Sequence, residues 1–219
     1  MVEGVSIGVL VRRVVERADA VLGRRYVLGI AGPPGAGKST LAQRLCAGLG
    51  GSVAGIAPMD GYHLSNAVLR AAGMVERKGE PDTFDAGGFV VNLRRLRGTP
   101  LGEPVPWPTF DRALDEPTPG GVVFRAERVA VVEGNYLLLE DGPWAAVRAE
   151  LDECWYLDAD RDHLERRLLD RHLLGGRTPD AARAKVADSD LRNADLVALT
   201  RSRADLILRA DDGGYVVGG

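Results

Sequence analysis

Cysteine is nearly absent from the 219 residues: Cys46 and Cys154 are the only two, far apart and each in an apolar setting. That excludes a disulfide scaffold and a cysteine-rich metal centre, and both are expected to be small core residues in a reducing cytoplasm. There is no stretch of about eighteen apolar residues, so no membrane span is expected. The first ten residues lack the charged start and long apolar centre of a secretory signal. An excess of basic charge is missing too. Lys and Arg total 28 against 31 Asp and Glu, for a net charge of -3, which speaks against a nucleic-acid surface. Internal repeats and low-complexity segments are also absent. With 45% apolar and 27% charged residues, the chain reads as one α/β domain over residues 1–219.

What is present begins with residues 32–39, Gly-Pro-Pro-Gly-Ala-Gly-Lys-Ser, a complete G-x-x-x-x-G-K-[ST] phosphate loop. The apolar run 26–31 before it reads as a buried parallel strand. Residues 38–49 after it place Leu41, Leu45 and Leu49 on one helical face. In this setting Gly32, Gly35 and Gly37 let the backbone of Gly32, Pro33, Pro34, Gly35, Ala36 and Gly37 curve into a concave phosphate cradle, lined by the N–H groups of its non-proline residues. The cradle opens onto a helix N-terminus with Lys38, Ser39 and Thr40. Lys38 is expected on the β- and γ-phosphates of ATP and Ser39 on Mg²⁺. No N-K-x-D guanine-reading motif occurs, which favours a kinase over a GTPase switch.

Elsewhere, residues 9–22 have helical periodicity, with Leu10, Val14 or Val15, Ala18 and Leu22 able to share a face, so 1–22 is expected to carry a leading helix. Strands are expected at 53–57, 122–124, 128–132 and 154–157, with 204–208 closing the sheet as its last strand. Helices are expected at 63–72, 85–97, 160–174 and within 180–200. Residues 100–121 hold six prolines and read as an insertion of edge strands and loops on the substrate side. The phosphate loop and the alternation predict the α/β fold of phosphate-loop nucleoside triphosphatases: a doubly wound, mainly parallel sheet flanked by helices, with ligand at the carboxyl ends of the strands and a small lid at 160–180.

Acids at strand ends and arginines downstream complete the pattern. Asp60, directly after the second strand, can take a proton from an attacking hydroxyl, or can simply cap the next helix. Glu133 ends the strand of 128–132, where it can hold Mg²⁺ opposite Ser39 or merely face water. The arginines of residues 166–177 can close over a triphosphate, or can lie on a solvated helix face beside Asp162, Glu165 and Asp170.

Four segments then appear in order: MDGYHL at 59–64, RKGEPDTFD at 77–85, PTFDR at 108–112 and VVEGNYLL at 131–138. Together they resemble the uridine kinase, type I pantothenate kinase and phosphoribulokinase family of phosphate-loop kinases, across residues 26–208. Nearest in motif is the nucleoside/nucleotide kinase-like branch that includes fructose-transport-associated kinases. The resemblance implies Asp60 as base, Glu133 assisting the metal, and Arg171 with Arg166 in the lid. It also implies an acceptor pocket near His63, Lys78, Asp82, Asp85, Arg112 and Asn193, with Asp190 at a neighbouring polar helix position. After the base this chain has DGYH, nearer the pantothenate kinase form than the D-S-F-Y form of uridine kinases. It lacks the long insertion of a phosphoribulokinase and much of the extension of bacterial pantothenate kinases. The expected activity is γ-phosphoryl transfer from ATP to a hydroxyl of a small polar metabolite: pantothenate, a nucleoside or a sugar. A slow regulatory ATPase and a nucleoside monophosphate kinase stand as alternatives. A small-molecule acceptor is the expected partner, without nucleic acid or membrane, and a homodimer is open.

Overall fold

Residues 4–211 and 213–218 are described by a computed structural model. A seven-stranded sheet runs in the order β1-β9-β8-β7-β2-β6-β3, from Gly4–Val5, Gly214–Gly218, Leu206–Asp211, Glu153–Asp158, Tyr26–Ala31, Val129–Gly134 and Ala54–Pro58 respectively. The five strands from β8 to β3 are mutually parallel. Alternation along the central strands divides two cores. Val27 and Ala31 of β2, Ala130 and Val132 of β6, and Cys154 and Tyr156 of β7 face one layer. Tyr26, Leu28 and Ile30, Val129 and Val131, and Trp155 and Leu157 face the other. A strand sheathed on both faces has no polar side to show, which is why these segments read as continuous apolar runs.

One layer holds α1 (Ile7–Asp19), α2 (Lys38–Leu49) and the buried stripe of α5 (Arg161–Leu174); the other holds α4 (Ala86–Gly98). In α4, Phe89, Leu93 and Leu96 are fully buried, a stripe worth roughly 1.5–3 kcal/mol per side chain in removal from water. On α1, Leu10, Val14 and Ala18 are buried, whereas Val15 is 42% exposed and Leu22, beyond the helix, 86% exposed. Successive fourth positions keep one face inward; the fifth turns about 140° away. Residues 1–3, inside the segment expected to hold the leading helix, lie outside the described residues.

Two expectations change. β8 does not close the sheet: an antiparallel hairpin carries the chain back as β9, and β1 pairs with β9 beyond it. The two-residue β1 is too short for a period to be read. Residues 122–124 do not join the main sheet either. They end β5 (Glu116–Phe124), which pairs with β4 (Val105–Asp111) as a separate antiparallel ribbon. Prolines are tolerable there because both strands are edges, and the register shifts around Pro108. Trp107, fully buried, pins the ribbon by donating from Nε1 to the Pro58 carbonyl at 3.0 Å. Short helices α3 (Asn66–Ala71), α6 (Pro179–Lys185) and α7 (Leu191–Ala198) complete the chain, with a turn of π-helix, Val186–Asp190, between the last two. Both thiols are free, Cys154 buried and Cys46 half-buried, and burial pushes them up to about 12 and about 11.

Candidate active site

The phosphate loop joins β2 to α2. Gly32, Gly35 and Gly37 have φ of +151°, +85° and +100°, a region that side chains avoid. A Cβ on Gly32 would also lie 2.5 Å from the Leu157 carbonyl oxygen. Lys38 opens α2 and is 7% exposed. Its Nζ donates to the Pro33 carbonyl at 2.9 Å and to Asn135 Oδ1 at 2.7 Å. Thr40, at the mouth, is exposed.

Sheet register brings the acids here. Glu133 on β6 stands opposite Ile30 of β2 on one side and Pro58 of β3 on the other. The phosphate loop after β2 and Asp60 after β3 therefore emerge on the same edge, flanking Glu133. Ser39 Oγ donates to Glu133 Oε1 at 3.1 Å. Burial lowers Lys38 to about 8, opposed by Glu133 and Asp60 and reinforced by Arg171. Burial raises Glu133, and the charge of Asp60 raises it further, while Lys38 and Ser39 pull it down. Lys38, Glu133, Asp60 and Arg171 thus share one electrostatic site.

Asp60 lies on a 3₁₀ turn, Met59–Tyr62, with its side chain 32% exposed and Arg112 Nη2 at 3.4 Å. The ribbon presses on this turn: a Cβ on Gly61 would sit 2.1 Å from the Pro108 carbonyl oxygen. His63 accordingly stacks against Phe84 and Phe110, with ring centroids 4.0 and 4.7 Å apart, and its Nδ1–H donates to the Asp60 carbonyl at 2.8 Å. Burial lowers the His63 pKa.

The other residues expected in the pocket have structural partners. Lys78 donates to Asn66 Oδ1 at 2.7 Å and pairs with Asp115 at 2.8 Å. Asp82 pairs with Arg77 at 2.7 Å and is half exposed. Asp85 is the N-cap of α4, accepting from the Gly88 N–H at 2.8 Å. Asn193 is buried and donates to the Gly79 carbonyl at 3.3 Å, the same oxygen that accepts from Tyr136 Oη at 2.5 Å.

On α5, Arg171 lies 3.8 Å from Asp190, while Arg166 donates to the Asp162 carbonyl of its own helix. Among the described residues neither arginine pairs with the side chains of Asp162, Glu165 or Asp170. Arg166 lines a cleft of about 660 Å³ that starts at Gly37 and Thr40 and reaches Arg44 and Tyr215. Two further residues belong to the site although the sequence does not single them out. Arg167 Nη1 donates to the Gly35 carbonyl at 3.3 Å, directly over the cradle. Its spacing carries a signal, since it sits one helical turn before Arg171. Asn135, the partner of Lys38, is visible in the sequence only as part of a motif.

No family model matches the chain. Individual relatives do. An ATP-dependent kinase-like protein, notR', of Aspergillus versicolor is 38% identical over 152 residues, covering 65% of this chain and 88% of the relative. A candidate uridine kinase, C227.14, of Schizosaccharomyces pombe is 31% identical over 197 residues, covering 85% and 83%. The crystal structure of a candidate fructose transport system kinase from Silicibacter sp. TM1040 superposes with a TM-score of 0.85 at 38% identity, covering 93% of this chain and 99% of that one. This chain belongs to the uridine kinase-like family of phosphate-loop kinases. The kinase has the α/β fold with a mostly parallel sheet that this family uses, and it is an ATP-dependent phosphotransferase. Among its described residues no helix is long and apolar enough to cross a membrane.

Proposed function

We propose that this kinase transfers the γ-phosphoryl group of ATP to a hydroxyl of a small polar metabolite, with Asp60 as the base. The observation that carries the reading is the sheet register that brings the phosphate loop, Glu133 and Asp60 to one edge of the sheet, with Ser39 Oγ 3.1 Å from Glu133 Oε1. ATP lies with its phosphates in the cradle and its nucleoside half in the cleft beyond Gly37 and Thr40. The acceptor oxygen attacks the γ-phosphorus as the bond to the β,γ-bridging oxygen breaks. ADP leaves with that electron pair, and the hydroxyl proton passes to Asp60. Lys38 follows the developing charge on the phosphates, and Arg171 and Arg167 join it from α5.

The residues fit Mg²⁺. Ser39 and Glu133 offer two hard oxygen donors 3.1 Å apart. No group of three or more His, Cys, Asp or Glu that could hold a metal occurs among the described residues. That suits an ion held largely by phosphate oxygens and water. When bound, Mg²⁺ supplies charge neutralisation on the phosphates.

Arg112, exposed beside Asp60, favours an anionic acceptor such as pantothenate or a sugar acid over an uncharged nucleoside. A metabolite panel scored for acceptor-dependent ADP release tests the assignment. Asp60→Asn is expected to bind ATP normally and to lose acceptor-dependent turnover by about 10²–10⁴-fold. Steady ADP release indifferent to every added alcohol, and unchanged in Asp60→Asn, would instead show a regulatory ATPase.

A further inference from the structure

Two polar anchors lie outside the phosphate site, at the ends of one short helical run. At the end of α6, Lys185 Nζ donates to the carbonyls of Glu76 and Lys78, each at 3.0 Å, and to Ser189 Oγ at 3.1 Å. Three acceptors use all three ammonium hydrogens. The carbonyls belong to the loop expected to line the acceptor pocket, which Asn193 and Tyr136 hold again at Gly79. Five residues beyond Lys185, Asp190 is buried and accepts from His172 Nε2 at 2.6 Å, with Arg171 at 3.8 Å. His172 and Arg171 form the last turn of α5, just before Gly175 and Gly176, the latter with a φ of +86°.

Between the two anchors stands the π-turn, Val186–Asp190. Such turns are rare, less favourable than regular helix, and recur at functional sites. The same Arg171 that approaches Asp190 lies one helical turn beyond Arg167, whose Nη1 donates to the Gly35 carbonyl of the cradle at 3.3 Å. Arg171 is therefore placed between two anionic destinations: Asp190, and a triphosphate in the cradle.

We propose that the π-turn is a joint that couples nucleotide binding to the acceptor loop, with Lys185 and Asp190 as positioning residues. The inference rests on the reading of Arg171 as a lid residue. A bound triphosphate draws Arg171 away from Asp190. The altered pull on Asp190 shifts the π-turn, and Lys185 carries the shift to the carbonyls of Glu76 and Lys78. Filling of the nucleotide site thereby sets the wall of the acceptor site.

Hydrogen exchange of the full chain, with and without AMP-PNP and Mg²⁺, tests this without a known acceptor. The unaltered chain is expected to exchange severalfold more slowly on nucleotide addition at 32–40, at 166–177 and at 76–80. Lys185→Met is expected to keep the first two responses and lose the third. That variant can also loosen the loop outright, so Asp190→Asn is the decisive comparison. It leaves all three Lys185 hydrogen bonds in place, so the loop should keep its resting protection and lose only its nucleotide response. A response at 76–80 that persists in Asp190→Asn, or that is missing from the unaltered chain while 166–177 responds, overturns the joint and leaves the lid intact. No response at 166–177 overturns the lid reading and the joint together.

Discussion

Lys38 has few neighbours that can keep it charged. Its ammonium is buried against the Pro33 carbonyl and Asn135, and it titrates near 8 where lysine ordinarily titrates near 10.5. The folded pKa is the lower one, so from pH 8 to 10.5 the unfolded chain holds more protons at this residue. Its contribution to stability therefore rises with pH across that window. For nucleotide binding the sign reverses, because the phosphates need the charged form. Above pH 8, AMP-PNP binding is expected to take up a proton at Lys38, with affinity falling by up to about tenfold per pH unit and levelling below pH 8. Titration calorimetry in buffers of different ionisation enthalpy at pH 9 measures that uptake. Lys38→Arg, charged throughout, should abolish both the uptake and the slope; an unchanged slope would assign them elsewhere.

Between the elements, the tightest fit is that of the Asp60 turn against the ribbon. Gly61 has no room for a Cβ because the Pro108 carbonyl would be 2.1 Å away, and Trp107 fixes the ribbon to the end of β3 from the next position along. Gly61→Ala must push the turn and the ribbon apart. A stability loss of roughly 1–3 kcal/mol is expected, with a fall in turnover larger than any change in ATP affinity, because Asp60 and Arg112 lie on the two parts being separated. Gly87→Ala is the control. It lies in the first turn of α4, where the new Cβ would meet only Asp85 Oδ1 at 3.8 Å, an ordinary contact, so its stability should hold or improve by about 0.5–1 kcal/mol. Urea melts and initial rates on both variants decide the matter; a Gly61→Ala protein as stable and active as its parent would remove the ribbon from the account of Asp60.

For the molecule as a whole, nucleotide and fold are linked through the cradle, which draws on β2, α2, α5 and β6 together. AMP-PNP at a hundred times its Kd should stabilise the folded chain by about 2.7 kcal/mol, a rise in Tm of about 5–11 °C for a protein of this size. Asp60→Asn should retain that rise in differential scanning fluorimetry, since the role proposed for Asp60 is at the acceptor and not at the cradle. Loss of the rise in that variant would place Asp60 among the nucleotide ligands.

Most of the fold and part of the site are legible in the sequence, and the divide has a physical cause. The central strands, the amphipathic helices and the phosphate loop depend on local periods and on glycines at fixed offsets, so the order of residues alone determined them, along with the family. Asp60 and Glu133 could be singled out because each sits at or near a strand's end, and Arg171 through the family resemblance. Tertiary structure decided what those ends meet. The register of β6 between β2 and β3 put Glu133 beside Ser39. The ribbon delivered Arg112 to Asp60, and the packing of α5 laid Arg167 over Gly35. Such contacts join residues 52 to 132 positions apart, and no local periodicity carries them, because they arise only when separate hydrophobic faces close on one sheet.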